Sequence, residues 1–108
     1  MVFTAAEEDY ANEVLDRLDK NKYIKHRLYR QHTTNNSATY IKDLSKLGRP
    51  LDQVIIIDNL AENFQLQPEN GIHIQSFYGD KTDTELQKLV PILKHIANSG
   101  SDVRPFLS

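Results

Sequence analysis

Length, composition and charge restrict the classes of function open to this chain. With 108 residues, of which 39% are apolar and 26% charged, it is typical of one small globular domain. A net charge of −2 argues against direct nucleic-acid binding and against a broad surface for anionic membranes. The absence of cysteine excludes disulfides, thiolate catalysis and cysteine-based zinc sites.

The sequence shows no recognisable targeting signal. Its longest apolar run, residues 54–57, is far shorter than the roughly 18 residues that span a bilayer. No basic segment followed by a long apolar stretch opens the sequence, so no signal peptide is predicted. We therefore expect no membrane span in this chain and a nuclear or cytoplasmic protein, unless an upstream segment carries an address.

The basic residues are scattered except for one cluster. Such a cluster can contact phosphate, but a solvated strand edge is the favoured interpretation. The four histidines have no metal-ligand spacing, so a histidine metal site is not predicted. The members of the basic cluster are Lys22, Lys25, His26, Arg27 and Arg30.

The first forty residues predict a strand, a helix and a second strand. Val2 and Phe3 end a strand at Thr4, and a helix with an acidic first turn follows and stops near residues 19–21. Residues 26–30 predict a short strand, whereas residues 31–38, rich in Thr and Asn, predict a loop. The apolar face of the helix comprises Tyr10, Ala11, Val14, Leu15 and Leu18.

The clearest strand lies in the middle of the chain. Residues 54–57 are four consecutive β-branched residues before Asp58, and such a run favours a parallel strand covered on both faces over a buried helix. A short extended piece over residues 39–42 and a helical turn over residues 43–47 precede it. Residues 72–74 predict a weaker strand after a turn at residues 68–71.

The C-terminal third predicts one amphipathic helix followed by a tail. Residues 82–85 fit a capping box, and Pro91 is expected to kink or divide the helix. Residues 99–101 end it, which leaves residues 102–108 as the tail. The order of all these elements predicts an α/β fold. The apolar face of this helix comprises Leu86, Leu89, Val90, Leu93, Ile96 and Ala97.

Three polar residues, Thr4, Lys42 and Asp58, stand where predicted strands end, which is where open parallel sheets bind ligands. A hydroxyl and an ammonium hold phosphate oxygens and a carboxylate helps hold a metal ion, so the set suits phosphoryl transfer. Oxygen ligands favour magnesium over zinc. Each residue also has a simpler interpretation: Thr4 as a helix cap, Lys42 as a surface charge, and Asp58 with Asn59 as a turn. Receiver domains and dinucleotide-binding folds also place an acid after an apolar strand, so spacing alone leaves the chemistry open.

Five segments carry a resemblance to a known family: residues 2–6, 26–30, 40–49, 54–59 and 82–86. In order, they resemble the small phosphatases of the RNA polymerase II C-terminal domain and the NLI-interacting-factor-like phosphatases, which belong to the haloacid dehalogenase superfamily. The resemblance implies a Rossmann-like three-layer fold with a mostly parallel sheet. It also implies a Mg²⁺-dependent phosphatase that acts on phosphoserine or phosphothreonine in proteins through an aspartyl-phosphate intermediate.

The resemblance assigns roles by position. Thr4 would bind phosphate, and Lys42 would orient the phosphate and the nucleophile. Asp58 would position Mg²⁺, directly or through water, with Asn59 assisting. The family's Asp-x-Asp-x-Thr motif, which supplies the nucleophile and the general acid, occurs nowhere in the 108 residues. In addition, Leu60 and Ala61 follow the Asp58–Asn59 pair where the family usually has Ser-Pro, which affects the shape of the loop beside the metal.

These departures predict a partial domain. We expect residues 1–108 to be the C-terminal portion of a phosphatase domain whose first strand is missing, and to be inactive alone. That strand would be the central neighbour of residues 54–57, whose burial contributes roughly 6–12 kcal/mol before entropy is counted, against a whole-domain stability of roughly 5–15 kcal/mol. The isolated chain is therefore expected to be unstable or self-associating unless another chain supplies the strand or the sheet repacks.

Two alternative functions stay open. Residues 66–70 and 102–105 are similar to a presequence-receptor subunit of the mitochondrial inner-membrane translocase, which implies a catalytically silent binding module on the same fold. Lys42 and the Asp58–Asn59 pair favour the phosphatase instead. The third interpretation is a regulator of a full-length relative, which would bind a phosphoserine peptide without turning it over.

Overall fold

The computed structural model describes residues 1–36 and 39–107. Residues 37 and 38 of the predicted loop and residue 108 of the predicted tail lie outside the described residues. The chain divides into two compact units, Met1–Lys42 and Asp43–Ser108. In the described ranges, no helix has the length and apolar character needed to cross a membrane.

The first unit contains a helix and two pairs of short strands. In chain order its elements are β1 Val2–Phe3, α1 Glu8–Leu18, β2 Arg27–Leu28, a 3₁₀ turn Arg30–His32, β3 Thr34–Asn36 and β4 Thr39–Ile41. β1 runs parallel to β2, and β3 runs antiparallel to β4. The predicted strands at both ends of α1 are confirmed, although β2 is shorter than the sequence suggested.

The predicted loop over residues 31–38 is wrong for the residues that the structure describes. Gln31 lies in a 3₁₀ turn, and Thr34–Asn36 pairs with β4. Thr and Asn are common in loops, but pairing with a neighbouring strand decides the conformation of a segment whose own preference is weak.

α1 buries only part of its predicted apolar face. Ala11 and Leu15 are buried and pack with Tyr29, whereas Tyr10 and Leu18 are 66% and 77% exposed. Both pairs fit the spacing of one helical face. The apolar face predicted from the sequence is therefore wider than the part of α1 that packs in the core. The face of α1 that carries Ala11 and Leu15 packs against Tyr29, just after β2, and forms the core. The neighbouring face, which carries Tyr10 and Leu18, is exposed.

Both ends of α1 agree with the sequence. Glu8 and Asp9 lie in its first turn, where negative charge is favourable to the helix dipole. Asp19 follows the last turn, and its carboxylate accepts hydrogen bonds from the amides of Tyr23 and Ile24 at 2.9 and 2.8 Å. These hydrogen bonds satisfy backbone amides of the segment that follows α1. The helix ends where the sequence predicted.

The second unit is built around the predicted apolar strand. Its elements are 3₁₀ turns Leu44–Leu47, Leu51–Gln53, Ala61–Phe64, Pro68–Asn70 and Gln87–Leu89, strands β5 Ile56–Asp58 and β6 Gly71–His73, and helices α2 Val90–Ser99 and α3 Arg104–Leu107. β5 runs parallel to β6, so that Asp58 lies opposite His73. The predicted helical turn after residue 42 and both predicted strands are confirmed, the strands slightly displaced. The buried core comprises Leu44, Val54, Ile56 and Phe64.

The C-terminal helix begins later than predicted. The capping box at residues 82–85 is wrong, because the amide and hydroxyl of Thr82 donate back to Asp80 Oδ1 at 2.9 and 2.7 Å and α2 begins at Val90. Pro91 lies in the first turn of α2, where its missing amide costs no helical hydrogen bond. Pro91 therefore separates α2 from the turn before it and does not kink a longer helix.

The predicted tail is also wrong, because Arg104–Leu107 forms a helical turn. Val103 is buried, and its amide donates to the Asp52 carbonyl at 3.0 Å, which fastens this segment to the body of the second unit. Of the apolar face predicted for the C-terminal helix, Ile96 in α2 is buried, whereas Leu86, which lies before α2, is 60% exposed.

The α/β fold class is confirmed in its coarse form. Among the described residues the strands pair in three two-stranded sheets, of which two are parallel. The finer arrangement, a three-layer haloacid-dehalogenase fold without its first strand, remains a prediction. The expected instability or self-association of the chain also remains a prediction.

Candidate phosphate and metal site

Thr4 follows β1 and forms a turn. Its amide donates to the Leu28 carbonyl at 2.9 Å, and its Oγ1 accepts from the Ala6 amide at 3.0 Å. Because α1 starts at Glu8 with Glu7 as its N-cap, the interpretation of Thr4 as the cap of this helix is wrong. The bond to Ala6 uses the hydroxyl oxygen as an acceptor, so the hydroxyl hydrogen is chemically able to donate to an anion.

Lys42 follows β4 and is buried. Its residue is only 8% exposed, and the preceding Ile41 is 2% exposed. Lysine is almost never fully buried unless its charge is compensated, so the interpretation of Lys42 as an ordinary surface charge is wrong. A buried ammonium at a strand end is suited to binding an anion such as a phosphate group.

Asp58 ends β5 and is only 6% exposed. Its Oδ1 accepts from the Leu60 amide at 3.0 Å, and the Asn63 side-chain amide lies 3.3 Å from each carboxylate oxygen. Its carbonyl accepts from the Ile74 amide at 3.0 Å, which continues the β5–β6 ladder. The interpretation of Asp58 as a turn residue is therefore correct as far as it goes, and a buried carboxylate at a strand end is present as well.

Asn59 is held on both sides. Its Nδ2 donates to Ser76 Oγ at 3.1 Å, and its carbonyl oxygen lies 2.8 Å from Nε2 of His73. We call the group formed by Asp58, Asn59, Asn63, His73 and Ser76 the Asp58 corner. Since Nδ2 of Asn59 is used by Ser76, the side-chain oxygen is the atom of this amide that suits a cation.

The structure brings two of the four predicted site residues together, namely Asp58 and Asn59 in the Asp58 corner. Thr4 and Lys42 belong to the first unit, where each follows a short strand. Asn63, His73 and Ser76 were missed by the sequence interpretation. No motif marks them, because each contacts the corner through a turn or through strand register.

Two of the five residues of the basic cluster, Arg27 and Arg30, are engaged within the first unit. Arg27 donates to Asn12 and Asp16 at 2.8 and 2.9 Å, and the hydrogen bond with Asp16 raises the pKa of Arg27. Arg30 donates to the Ala5 carbonyl at 2.7 Å and lies 4.7 Å above the ring of Tyr40. These contacts support the strand-edge interpretation over a phosphate-binding patch.

A second polar cluster follows Lys42 directly. Asp43 Oδ1 accepts from the amide and hydroxyl of Ser45 at 3.0 and 2.7 Å and from Nε2 of Gln67 at 2.9 Å. The bonds from Ser45 and then from Gln67 lower the pKa of Asp43 below its ordinary value. These hydrogen bonds keep the Asp43 carboxylate ionised and order the backbone directly after Lys42.

The oxygen donors of the Asp58 corner partly fit Mg²⁺. Mg²⁺ usually binds one or two carboxylates and keeps several waters, and the corner offers the Asp58 carboxylate and the Asn59 side-chain oxygen. Over the described ranges, no group of three or more His, Cys, Asp or Glu side chains is placed to hold a metal ion. The corner therefore suits one side of a Mg²⁺ coordination shell, with the remaining ligands coming from water, substrate or residues outside this set.

Comparison with known proteins defines the class. A family model described as NLI interacting factor-like phosphatase matches residues 1–104. The chain belongs to this family.

Individual relatives agree with the family. The chain is 48% identical over 107 residues to a CTD small phosphatase-like protein 2 of Dictyostelium discoideum, which covers 99% of this chain and 19% of the relative. It is 45% identical over 109 residues to CTD nuclear envelope phosphatase 1B of Danio rerio, covering 100% of this chain and 44% of the relative. It is also 43% identical over 108 residues to the mitochondrial import inner membrane translocase subunit tim50 of Aspergillus fumigatus, covering 99% of this chain and 22% of the relative. The chain thus spans less than half the length of each of these relatives.

Proposed function

We propose that this chain forms the phosphate-binding and metal-binding portion of a protein serine/threonine phosphatase of the Mg²⁺-dependent, aspartyl-phosphate type. The observation that carries the proposal is the burial of two opposite charges at strand ends, Lys42 directly after β4 and Asp58 as the last residue of β5. Both lie in segments that resemble the family's motifs. Buried charges at strand ends are expensive for stability and are typical of functional sites.

Each proposed residue has a separate task. The Thr4 hydroxyl donates a hydrogen bond to a phosphate oxygen, and the Lys42 ammonium binds a second oxygen and orients the nucleophile. Asp58 and Asn59 would hold Mg²⁺, which would supply positive charge against the charge that develops on a transferring phosphoryl group. These tasks are positioning and electrostatic stabilisation, and they do not replace a nucleophile.

The nucleophile is proposed to come from outside these 108 residues. The covalent route needs a carboxylate that attacks phosphorus and is later released by water, and the given sequence contains no Asp-x-Asp-x-Thr motif. We therefore assign residues 1–108 to the C-terminal portion of a phosphatase domain. The missing strand and nucleophile would be supplied by a longer form of the protein or by another chain.

A specific observation supports a second candidate. The 43% identity to a tim50 subunit and the run of residues 66–70 support a role in a mitochondrial translocase, for which we propose a binding module that performs no chemistry. The names of the relatives also point to two compartments, the nuclear envelope and the mitochondrial inner membrane. We propose a nuclear or cytoplasmic location for the phosphatase, and imaging of a tagged full-length protein would test it.

The experiment begins with the transcript. Sequencing upstream of the codon for Met1 shows whether an in-frame Asp-x-Asp-x-Thr motif exists, and the full-length product is then assayed on phosphoserine and phosphothreonine peptides with Mg²⁺. Lys42→Met and Asp58→Asn should each lower kcat/KM by roughly 10²-fold or more. Lys94→Met and Asp9→Asn, at exposed positions, serve as charge-matched controls.

The outcomes separate the candidates. Mg²⁺-dependent turnover that is lost in both site variants and kept in both controls supports the phosphatase. Binding of a phosphoserine peptide without turnover favours a regulator, and binding of presequence peptides without phosphate dependence favours the receptor module. Unchanged kcat/KM in Lys42→Met would overturn the proposed role of this lysine.

A further inference from the structure

Gln67 is a buried amide that bonds to two consecutive residues far away in sequence. It is 7% exposed. Its Oε1 accepts from the Leu44 amide at 2.9 Å, and its Nε2 donates to Asp43 Oδ1 at 2.9 Å. Both ends of one side chain are therefore used, and both partners belong to the two residues that follow Lys42.

The first of these bonds satisfies a donor that the local backbone leaves without a partner. Leu44 is the first residue of the 3₁₀ turn Leu44–Leu47, and first-turn amides have no acceptor inside their own turn. The next amide, that of Ser45, is capped by Asp43 Oδ1 at 3.0 Å. Gln67 and Asp43 thus divide the capping of this turn between them.

Gln67 is itself fixed by the core of the second unit. Its backbone amide donates to the Phe64 carbonyl, and its backbone carbonyl accepts from the backbone amide of Asn70, both at 3.0 Å. Asn70 is 0% exposed and donates from Nδ2 to the Val54 carbonyl at 2.8 Å, just before β5. The two hydrogen bonds from Gln67 to residues 43–44 are therefore made by a side chain that is fixed in a buried framework.

We propose that Gln67 is a positioning residue for Lys42, because it holds the two residues that follow this lysine in one backbone conformation. The part of this inference that concerns catalysis rests on the proposed phosphatase function. Because residues 43–44 are held in place, the backbone of Lys42 has less conformational freedom. The Lys42 ammonium is therefore already positioned when it binds an anion. Such a residue does not touch substrate, and its loss misplaces a group that does.

Two substitutions in the full-length protein isolate this role. Gln67→Leu removes both bonds. Gln67→Glu keeps the size and the acceptor for Leu44, but it removes the donor and brings a second carboxylate to Asp43. The matched control is Gln65→Glu, because Gln65 is exposed and its Nε2 also donates one hydrogen bond, to the Glu62 carbonyl at 2.9 Å.

The first measurements need no enzymatic activity. Hydrogen exchange of the Leu44 amide should be slow in the wild type and faster by roughly tenfold or more in Gln67→Leu, since exchange reports local opening. Acylation of Lys42 by acetic anhydride, read by mass spectrometry relative to exposed Lys94, should also rise in both Gln67 variants and stay unchanged in Gln65→Glu. A merely structural role would change unfolding without changing the ratio of Lys42 to Lys94 labelling in the folded protein.

The kinetic measurement applies if the wild type is a phosphatase. Gln67→Glu should lower kcat by roughly tenfold or more while KM changes little, because a misplaced lysine weakens transition-state stabilisation more than substrate binding. If the wild type shows no phosphatase activity, the proposed function fails, while exchange and acylation still decide the role of Gln67.

Two results would overturn the inference. One is a wild-type Leu44 amide that exchanges as fast as exposed amides, a result that needs no variant to fold. The other is a folded Gln67→Glu protein in which Lys42 acylation, and kcat where it is measurable, equal those of Gln65→Glu.

Discussion

Asn70 provides the sharpest test of how the second unit is held together. The residue is 0% exposed, and its Nδ2 donates to the carbonyls of Leu51 and Val54 at 2.7 and 2.8 Å. Its Oδ1 is buried and has no hydrogen-bond partner in the part of the chain that the structure describes. One side-chain amide thus donates to two carbonyls that lead into β5, of which the Leu51 carbonyl also accepts from the Val54 amide at 3.4 Å.

Asn70→Ala should destabilise the protein by about 2 kcal/mol. The Val54 carbonyl loses its side-chain donor, which costs roughly 1–3 kcal/mol. The Leu51 carbonyl keeps the Val54 amide as a donor at 3.4 Å, so it loses one hydrogen bond worth about 1 kcal/mol, and removal of the unsatisfied oxygen offsets part of the sum. Asn70→Asp should cost more at neutral pH, because it places a carboxylate against two carbonyl oxygens.

The aspartate variant adds a test of sign. Burial beside two carbonyls raises the pKa of the introduced carboxyl above its ordinary value, so the folded state favours the protonated form. The variant should therefore be least destabilised at acid pH, and its stability relative to Asn70→Ala should fall as pH rises through the ordinary range of aspartate.

Urea unfolding of the full-length protein followed by circular dichroism measures these differences. The control is Asn98→Ala, in an exposed position of α2, which is expected to change stability by no more than about 0.5 kcal/mol. An Asn70→Ala protein as stable as this control would refute the reasoning, since the Val54 carbonyl would then have found another donor at no cost.

Other substitutions test the packing and the charge state. Gly71→Ala should destabilise by roughly 1–3 kcal/mol, because a Cβ at this position would overlap the buried ring of Phe64; a melting temperature equal to wild type would contradict this contact. Asp43 has a folded-state pKa below its ordinary 3.8, so its contribution to stability is present above that value and lost as pH falls through the lower one. Asp43→Asn should reduce the acid dependence of the urea midpoint below pH 4. A pH profile parallel to that of the wild type would show that folding does not lower the pKa of Asp43.

The sequence predicted elements where local pattern and tertiary contact agree. The β-branched run before Asp58 predicted a strand, and Ile56–Asp58 is one, because an uninterrupted apolar segment has few alternatives to burial. The face of α1 was not predictable to the residue, since Tyr10 and Ala11 both fit helical spacing and only contact with Tyr29 separates them. Thr34–Asn36 was missed because its strand depends on a partner and not on its own composition.

The candidate site shows the same division. Thr4, Lys42, Asp58 and Asn59 were predicted from their position after strands and from resemblance, which are properties of short segments. Gln67 was not, because its partners Asp43 and Leu44 lie 24 and 23 residues away. Hydrogen bonds over such separations have no signature in a single sequence.

The double use of Asp58 affects how genetic results at this position are interpreted. Its Oδ1 accepts from the Leu60 amide while its backbone belongs to β5, so an alanine substitution removes a turn acceptor together with the proposed metal ligand. A null phenotype of Asp58→Ala would therefore confound degradation of a misfolded protein with loss of chemistry. Asp58→Asn keeps an acceptor oxygen for Leu60 and replaces only one of the two oxygens that Asn63 contacts, so its phenotype reports loss of charge with far less loss of structure.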